Sequence, residues 1–315
     1  MFSNIWAEYT KSERTILEEI KNPFVVKLFY AFQDTTKLYL ILEYAAGGEL
    51  FHHLDTEKMF SEDVAAFYLA EVFIALTALH SQGIIYRDLK PENCLLDVEG
   101  HLLLTDFGLS KVTPLPSPSS TDSNGNTSGP NSRTSSMCGT CEYMAPEMIR
   151  GDPYGFEVDY WAMGILLHEL LTGSPPFTGP NNMLISNRIC NSKLKLAYYI
   201  SPDAKDLLTK LLRKVPSARL GSKHGDIAKI RQHRFFRKVD WQRLERREME
   251  APIRPIITDA EKAENFPRFN ALALPNSVTE SAVNGNGRFE ETFTGFTYVA
   301  SESFIDRYME MRVGD

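Results

Sequence analysis

The sequence predicts an α+β fold, and three observations carry the prediction. Two apolar runs, Val25 to Phe32 and Leu38 to Tyr44, flank the polar stretch Gln33-Asp34-Thr35-Thr36-Lys37, the spacing of a hairpin with a longer loop. A long amphipathic helical pattern opens at Ser61. Farther on, Glu157 to Leu171 is apolar nearly all round, as expected of a helix buried inside a larger domain.

Each element follows from local signals. Trp6 to Lys21 reads as a helix with Ile16, Leu17 and Ile20 on one face. The hairpin comes next, and Gly47-Gly48 punctuates the chain after it. Ser61 opens the long helix with Glu62 and Asp63 in its first turn, and Ala65, Leu69, Val72, Leu76 and Leu79 form its stripe. Gly83 to Gly108 reads as short strands and turns bearing closely spaced Asp, Arg, Lys and Asn. From Thr113 to Ser136 the composition collapses to Ser, Thr, Pro, Asn and Gly, and a disordered insert is expected over 113–135. Ser201-Pro202 supplies an N-cap and a first-turn proline for a helix whose core face is Leu207, Leu208, Leu211 and Leu212. After about Trp241 the pattern loosens into a Pro-punctuated tail with an aromatic cluster between Phe293 and Phe304. There are no internal repeats.

Composition narrows the classes. With 43% hydrophobic and 24% charged residues the chain is not wholesale disordered. Its 315 residues can bury a core without disulfide or metal staples. The longest apolar candidate, Phe67 to Leu79, is interrupted by Glu71, so no membrane span is expected. Met1 to Thr15 has no apolar signal region, and four cysteines make no disulfide scaffold, so a reducing compartment is the expectation. A net charge of −7 argues against a nucleic-acid partner and suits partners that carry basic residues. Cys138-Gly139-Thr140-Cys141 is formally C-x-x-C, but there is no second pair and no thioredoxin-like setting, so it reads as structural.

The chemistry concentrates in three ordered signatures: Tyr86-Arg87-Asp88-Leu89-Lys90-Pro91-Glu92-Asn93, then Thr105-Asp106-Phe107-Gly108, then Met144-Ala145-Pro146-Glu147. A surface loop of solvated charges would explain the first but not the two that follow. Together they resemble the catalytic loop, D-F-G and A-P-E of eukaryotic protein kinases. Phosphoryl transfer is mostly positioning and charge neutralisation, which suits these residue types. The resemblance makes Asp88 the acceptor of the substrate hydroxyl proton and Lys90 the stabiliser of the phosphoryl group in transit. Asn93 and Asp106 become the Mg²⁺ ligands beside ATP.

Lys37 to Tyr44, Gly47-Gly48-Glu49-Leu50-Phe51 and Phe296-Thr297-Tyr298-Val299-Ala300 narrow this. With them the chain resembles the AGC group of serine/threonine kinases, and within it the ribosomal protein S-six kinase type. The resemblance implies a bilobal kinase fold with a truncated small lobe (1–45), a mainly helical large lobe (46–239) carrying the insert, and a regulatory tail (240–315). It places Leu42 at the gatekeeper position, and Glu13, Glu43, Ala45, Glu49 and Leu95 around the nucleotide. Leu17, Leu28, Tyr86 and Phe107 become a hydrophobic spine, Asp159 a brace for the catalytic loop, and Arg219 a partner of Glu147. Glu49, Glu92 and Thr140 become substrate-binding residues, the two glutamates facing upstream Arg or Lys. Asn187 stands where an acidic residue is looked for, which weakens the second basic subsite. Leu109 goes with serine over threonine.

Further implications concern regulation. Ser136, clamped by Arg87 and Lys111, Thr297 in the tail, and Ser277 become phosphorylation sites for upstream kinases, and Phe266 a tail contact to the nucleotide. The resemblance implies a cytoplasmic monomer, also nuclear, in growth or nutrient signalling. No G-x-G-x-x-G and no strand lysine precede Glu13, so two readings stand. One is an ATP-dependent kinase whose present chain transfers phosphate weakly or not at all. The other is a catalytically impaired, kinase-like binding module. A generic P-loop ATPase is excluded, because the G-x-x-x-x-G-K-S/T signature is absent.

Overall fold

A computed structural model describes residues 2–34, 37–114, 133–223, 225–258, 265–266 and 295–300, with 2–8 by backbone alone. Within them the fold is α+β. Helix α1 (Phe2–Glu19) buries Ile16 and Leu17, and Ile20 just beyond it. The hairpin is β1 (Leu28–Gln33) antiparallel to β2 (Leu38–Leu42), with Gln33 opposite Leu38. Then come β3 (Gly48–Glu49), α2 (Leu50–Glu57), α3 (Glu62–Ser81), β4 (Ile84–Ile85), β5 (Cys94–Leu96), β6 (Leu102–Leu104) and β7 (Lys111–Val112). The helical remainder is α4 (Pro146–Arg150), α5 (Glu157–Thr172), α6 (Asn182–Asn191), α7 (Pro202–Leu211), α8 (Asp226–Arg231) and α9 (Trp241–Glu245). A last strand, β8 (Tyr298–Val299), returns to pair with β1. Three small sheets result, in the orders β2-β1-β8, β3-β5-β6 and β4-β7.

The core is built on α3 and α5. Every residue of α3 from Ala65 to Leu76 is buried. The helix is long and apolar enough by length and composition to cross a membrane, but here it lies inside the core, where helix all-round apolarity belongs. Glu71, the charge inside that apolar run, is fully buried and satisfied by His101 Nδ1 at 2.6 Å and the Leu102 N–H at 2.8 Å. Ser61 caps α3 by accepting from the Val64 N–H. Ser201 caps α7, and its hydroxyl and N–H donate to Glu62, tying the two helix starts together.

Two connections position the site. The chain between α1 and β1 is pinned to β6, with Val26 N–H donating to Leu104 O and Leu104 N–H to Phe24 O. The tail crosses Gly47-Gly48, where Asn265 Nδ2 donates to Ala46 O at 3.0 Å. Gly48 has φ +78°, and a Cβ there would sit 2.2 Å from the Asn265 carbonyl oxygen, so only glycine fits beneath the tail.

The insert needs narrowing at both ends. Thr113 is buried, and its N–H and hydroxyl both donate to Gly83 O at 2.8 Å. Thr134 exchanges backbone hydrogen bonds with Tyr154. Composition flagged both residues, but backbone pairing decides their place. Residues 115–132 lie outside the described residues.

Candidate active site

The site is held from below by Asp159, a fully buried carboxylate on α5. It accepts from the N–H groups of Tyr86 (2.9 Å) and Arg87 (2.8 Å), and its Oδ2 lies 2.7 Å from His80 Nε2. Those bonds hold Arg87 at φ +70°, a conformation that costs a non-glycine residue about 1–3 kcal/mol. Asp106 is likewise left-handed at φ +58°. Two of the four non-glycine residues with positive φ among the described residues therefore flank the proposed chemistry.

Asp88 is buried, and three groups converge on it. Lys90 Nζ lies 2.8 Å from Oδ2, Asn93 Nδ2 donates to Oδ2 and to the Asp88 carbonyl, both at 2.9 Å, and Thr140 Oγ1 donates to Oδ1 at 3.4 Å. Lys90 also reaches Thr140 at 3.3 Å. Thr140 comes from a distant segment, brought in by Gly139 at φ +99°, where a Cβ would lie 2.8 Å from Arg87 O. The Asn93 amide is committed to Asp88 through its nitrogen, which leaves its oxygen as an acceptor. Asp106 is exposed, and its Oδ1 accepts from the Gly108 N–H at 3.2 Å. Thr105 N–H donates to Asn93 O, so Asn93 and Asp106 sit where the paired strands β5 and β6 begin and end side by side. An all-oxygen pair of this kind suits a hard cation such as Mg²⁺, so the residues fit the ion.

Glu13, on α1, is held above the usual carboxylate range by burial first and by repulsion from Asp106 second, with the Phe107 N–H offsetting part. Leu17, Leu28, Tyr86 and Phe107 are all buried, and the last two pack edge to face with ring centroids 5.4 Å apart. Leu42 is half-buried. The Glu43 N–H donates to Lys27 O, so Glu43 offers a ligand its carbonyl rather than its N–H. Ala45 is buried, and its carbonyl accepts from Gly48 N–H. Leu95 is half-buried between buried Cys94 and Leu96, opposite Glu49. Phe266 stacks on Tyr44 at 6.2 Å.

An acidic cluster flanks the Asp88 group. Half-buried Glu49 is raised by burial and then by Glu92, which is exposed. Glu169, which the sequence reading passed over, is buried on α5 and raised to about 7. Burial is the main cause; the Tyr143 hydroxyl, which donates to it, lowers the value, and Glu92 and Glu142 raise it. Asn187, on α6, accepts from Asn191 Nδ2 at 2.6 Å. The signal that could have found Glu169 was a carboxylate inside an otherwise apolar helix.

Arg87 is buried and donates to two neutral oxygens, Leu109 O at 2.6 Å and Tyr154 OH at 3.2 Å, with no carboxylate paired to it among the described residues. The Tyr154 hydroxyl in turn donates to Ser136 O at 2.6 Å, which brings Ser136 close to that charge. Ser136 and Lys111 are exposed. Thr297 is exposed; its carbonyl accepts from Arg14 at 3.4 Å, and Arg14 lies over the Tyr298 ring at 5.5 Å. Ser277 lies outside the described residues. Glu147 and Arg219 form a fully buried bidentate pair at 2.6 and 2.9 Å, with Arg219 stacked over Trp161.

Comparison with known proteins agrees with this geometry. The family profile described as Protein kinase domain matches residues 3–236. The chain is 46% identical over 293 residues to Ribosomal protein S6 kinase beta of Caenorhabditis elegans, covering 93% of this chain and 50% of that protein. It is 44% identical to Protein kinase 2 of Dictyostelium discoideum, covering 95% and 59%. To Serine/threonine-protein kinase AtPK2/AtPK19 of Arabidopsis thaliana it is 42% identical, covering 96% and 60%. The chain thus spans about half to three-fifths of the length of these relatives. Protein kinases of this kind use ATP and Mg²⁺ in general. With the Asp88–Lys90–Asn93 group, Asp106 and the buried Glu147–Arg219 pair in place, and the family profile matching most of its length, the chain belongs to the protein kinase domain family.

Proposed function

We propose that this chain is the catalytic part of an AGC-type serine/threonine kinase that phosphorylates hydroxyls in basic protein segments. The observation that carries the reading is the convergence of Lys90, Asn93 and Thr140 on the buried Asp88 carboxylate. Asp88 would orient an incoming hydroxyl and accept its proton, with Lys90 screening the negative charge nearby. Bound ATP and Mg²⁺ would supply the transferable phosphoryl group and the divalent charge that offsets it, with Asn93 and Asp106 holding the ion. Glu49, Glu92, Glu142 and Glu169 make the adjoining surface anionic, which suits Arg or Lys upstream of the acceptor. Leu109 supports serine as the acceptor. Buried Arg87, which has no carboxylate partner among the described residues, supports Ser136 as a phosphorylation site, and Thr297 is the second site we assign to an upstream kinase.

The test is transfer of labelled phosphate from Mg·ATP to a serine peptide with upstream arginines. It is run on the 315-residue chain and on a version extended upstream of Met1. Asp88→Asn should lower kcat by roughly 10²–10⁴ in whichever form is active, with folding retained by circular dichroism. Equal transfer by the Asp88→Asn protein would sink the proposal. Replacing the peptide arginines with alanine should raise KM.

A further inference from the structure

Charge is unevenly distributed along this chain. Asp and Glu make up 41 of its 315 residues, yet none occurs between Glu169 and Asp203. The two bounding acids are engaged elsewhere: Glu169 accepts from the Tyr143 hydroxyl, and Asp203 pairs with Arg237 at 3.0 Å. Inside the stretch lie Arg188, Lys193 and Lys195, all exposed. The fold adds Lys205 and Lys214, whose Nζ atoms donate to Tyr198 O at 3.1 Å and to Ser192 O. Among the described residues none of these five cations has an ion-pair partner.

Two tyrosines stand among them. Tyr198 is 93% exposed and Tyr199 51%, their rings edge to face with centroids 5.5 Å apart. Solvated lysines are ordinary on a surface. An aromatic side chain almost wholly in water, beside cations that no acid offsets, is not. The backbone beneath is fixed: Leu194, Leu196 and Ala197 pack against the core and Ile200 is buried, with Lys193 and Lys195 alternating outward. A partner seated there loses little freedom on the side of this chain, because the surface is already ordered. The patch is also separate from the active site. Cys141, the neighbour of Thr140, donates to Asn182 O at 3.6 Å at the start of α6. The patch opens past the other end of that helix, about 15 Å away for its ten residues.

We propose that 188–199, with Lys205 and Lys214, form a docking surface for a short Asp/Glu-rich segment of a partner protein. Carboxylates of the segment meet the lysines, and the two rings receive an apolar side chain between them. Charge favours this occupant over a nucleic acid. A long polyanion runs past the patch onto the rest of a surface whose chain carries −7, whereas a short acidic segment stays within it.

Fluorescence anisotropy of a labelled peptide, Glu and Asp around one Phe, titrated with the full chain tests this. Lys193→Glu combined with Lys195→Glu should weaken binding at least about tenfold, and added salt should weaken it in the wild type. Tyr198→Ser combined with Tyr199→Ser should weaken it several-fold. Lys21→Glu combined with Lys27→Glu, the same charge change at the α1–β1 connection, should leave it unchanged. Absence of binding by the wild-type chain, or equal losses in the two charge-reversed proteins, overturns the proposal. So does tighter binding of single-stranded oligothymidine than of the peptide, which would mark a nucleic acid as the occupant.

Discussion

Arg219 carries its charge with its side chain fully buried, where both oxygens of Glu147 meet it and the carbonyls of Glu157 and Arg213 take two more of its donors. Removing one partner of such a pair leaves an uncompensated charge in the core. Arg219→Ala should therefore cost about 3–5 kcal/mol, read as a lower urea midpoint at an unchanged m value. Glu169 makes a pH prediction. Its folded value, raised to about 7, means that the fold prefers the neutral carboxyl. The stability it contributes is complete below the ordinary carboxylate value and is lost as pH rises through about 7. A guanidinium in the acidic cluster favours the opposite, ionised form. KM for an arginine-bearing peptide should thus fall between pH 6 and pH 8, and Glu169→Gln should flatten that dependence; an unchanged profile would separate Glu169 from substrate binding. At this scale Asp88, Lys90, Asn93 and Asp106 were legible because their spacing is local. Glu169 was not, since it is tied to Tyr143 only across the fold, 26 residues away.

Helices α3 and α7 show how far local signals reach. Ser61 and Ser201 were readable as caps, and both accept from an N–H three residues on. Ser61→Ala should cost about 1 kcal/mol, measurable by thermal denaturation. The insert shows the limit of composition. Thr113 and Thr134 look like linker, yet one bonds Gly83 and the other Tyr154, pairings that no local window contains. Deleting 116–131, whose composition offers little to bury, should move Tm by no more than about 2 °C, whereas a deletion that begins at Thr113 should lower it clearly more. Equal shifts for the two deletions would remove the structural weight assigned here to Thr113. Strand β8 was legible only as an aromatic cluster; its register against β1 needed the fold.

Taken whole, the molecule joins distant parts of the chain at a few buried polar groups, and the order of their assembly matters. Asp159 bonds the amides of Tyr86 and Arg87 across 73 and 72 residues. Closing so long a loop carries an entropic cost that is recovered only when α5 has docked. Secondary structure in α3 forms from local contacts and need not wait for that closure. The left-handed turn at Arg87, with no other support so strong, should therefore take shape late in folding. On refolding from urea, far-UV ellipticity should recover before binding of a nucleotide analogue does, and Asp159→Asn should widen the delay. Asp159, a carboxylate spent wholly on the chain's own amides and on His80, thus decides when, during its own synthesis or refolding, this chain first becomes competent.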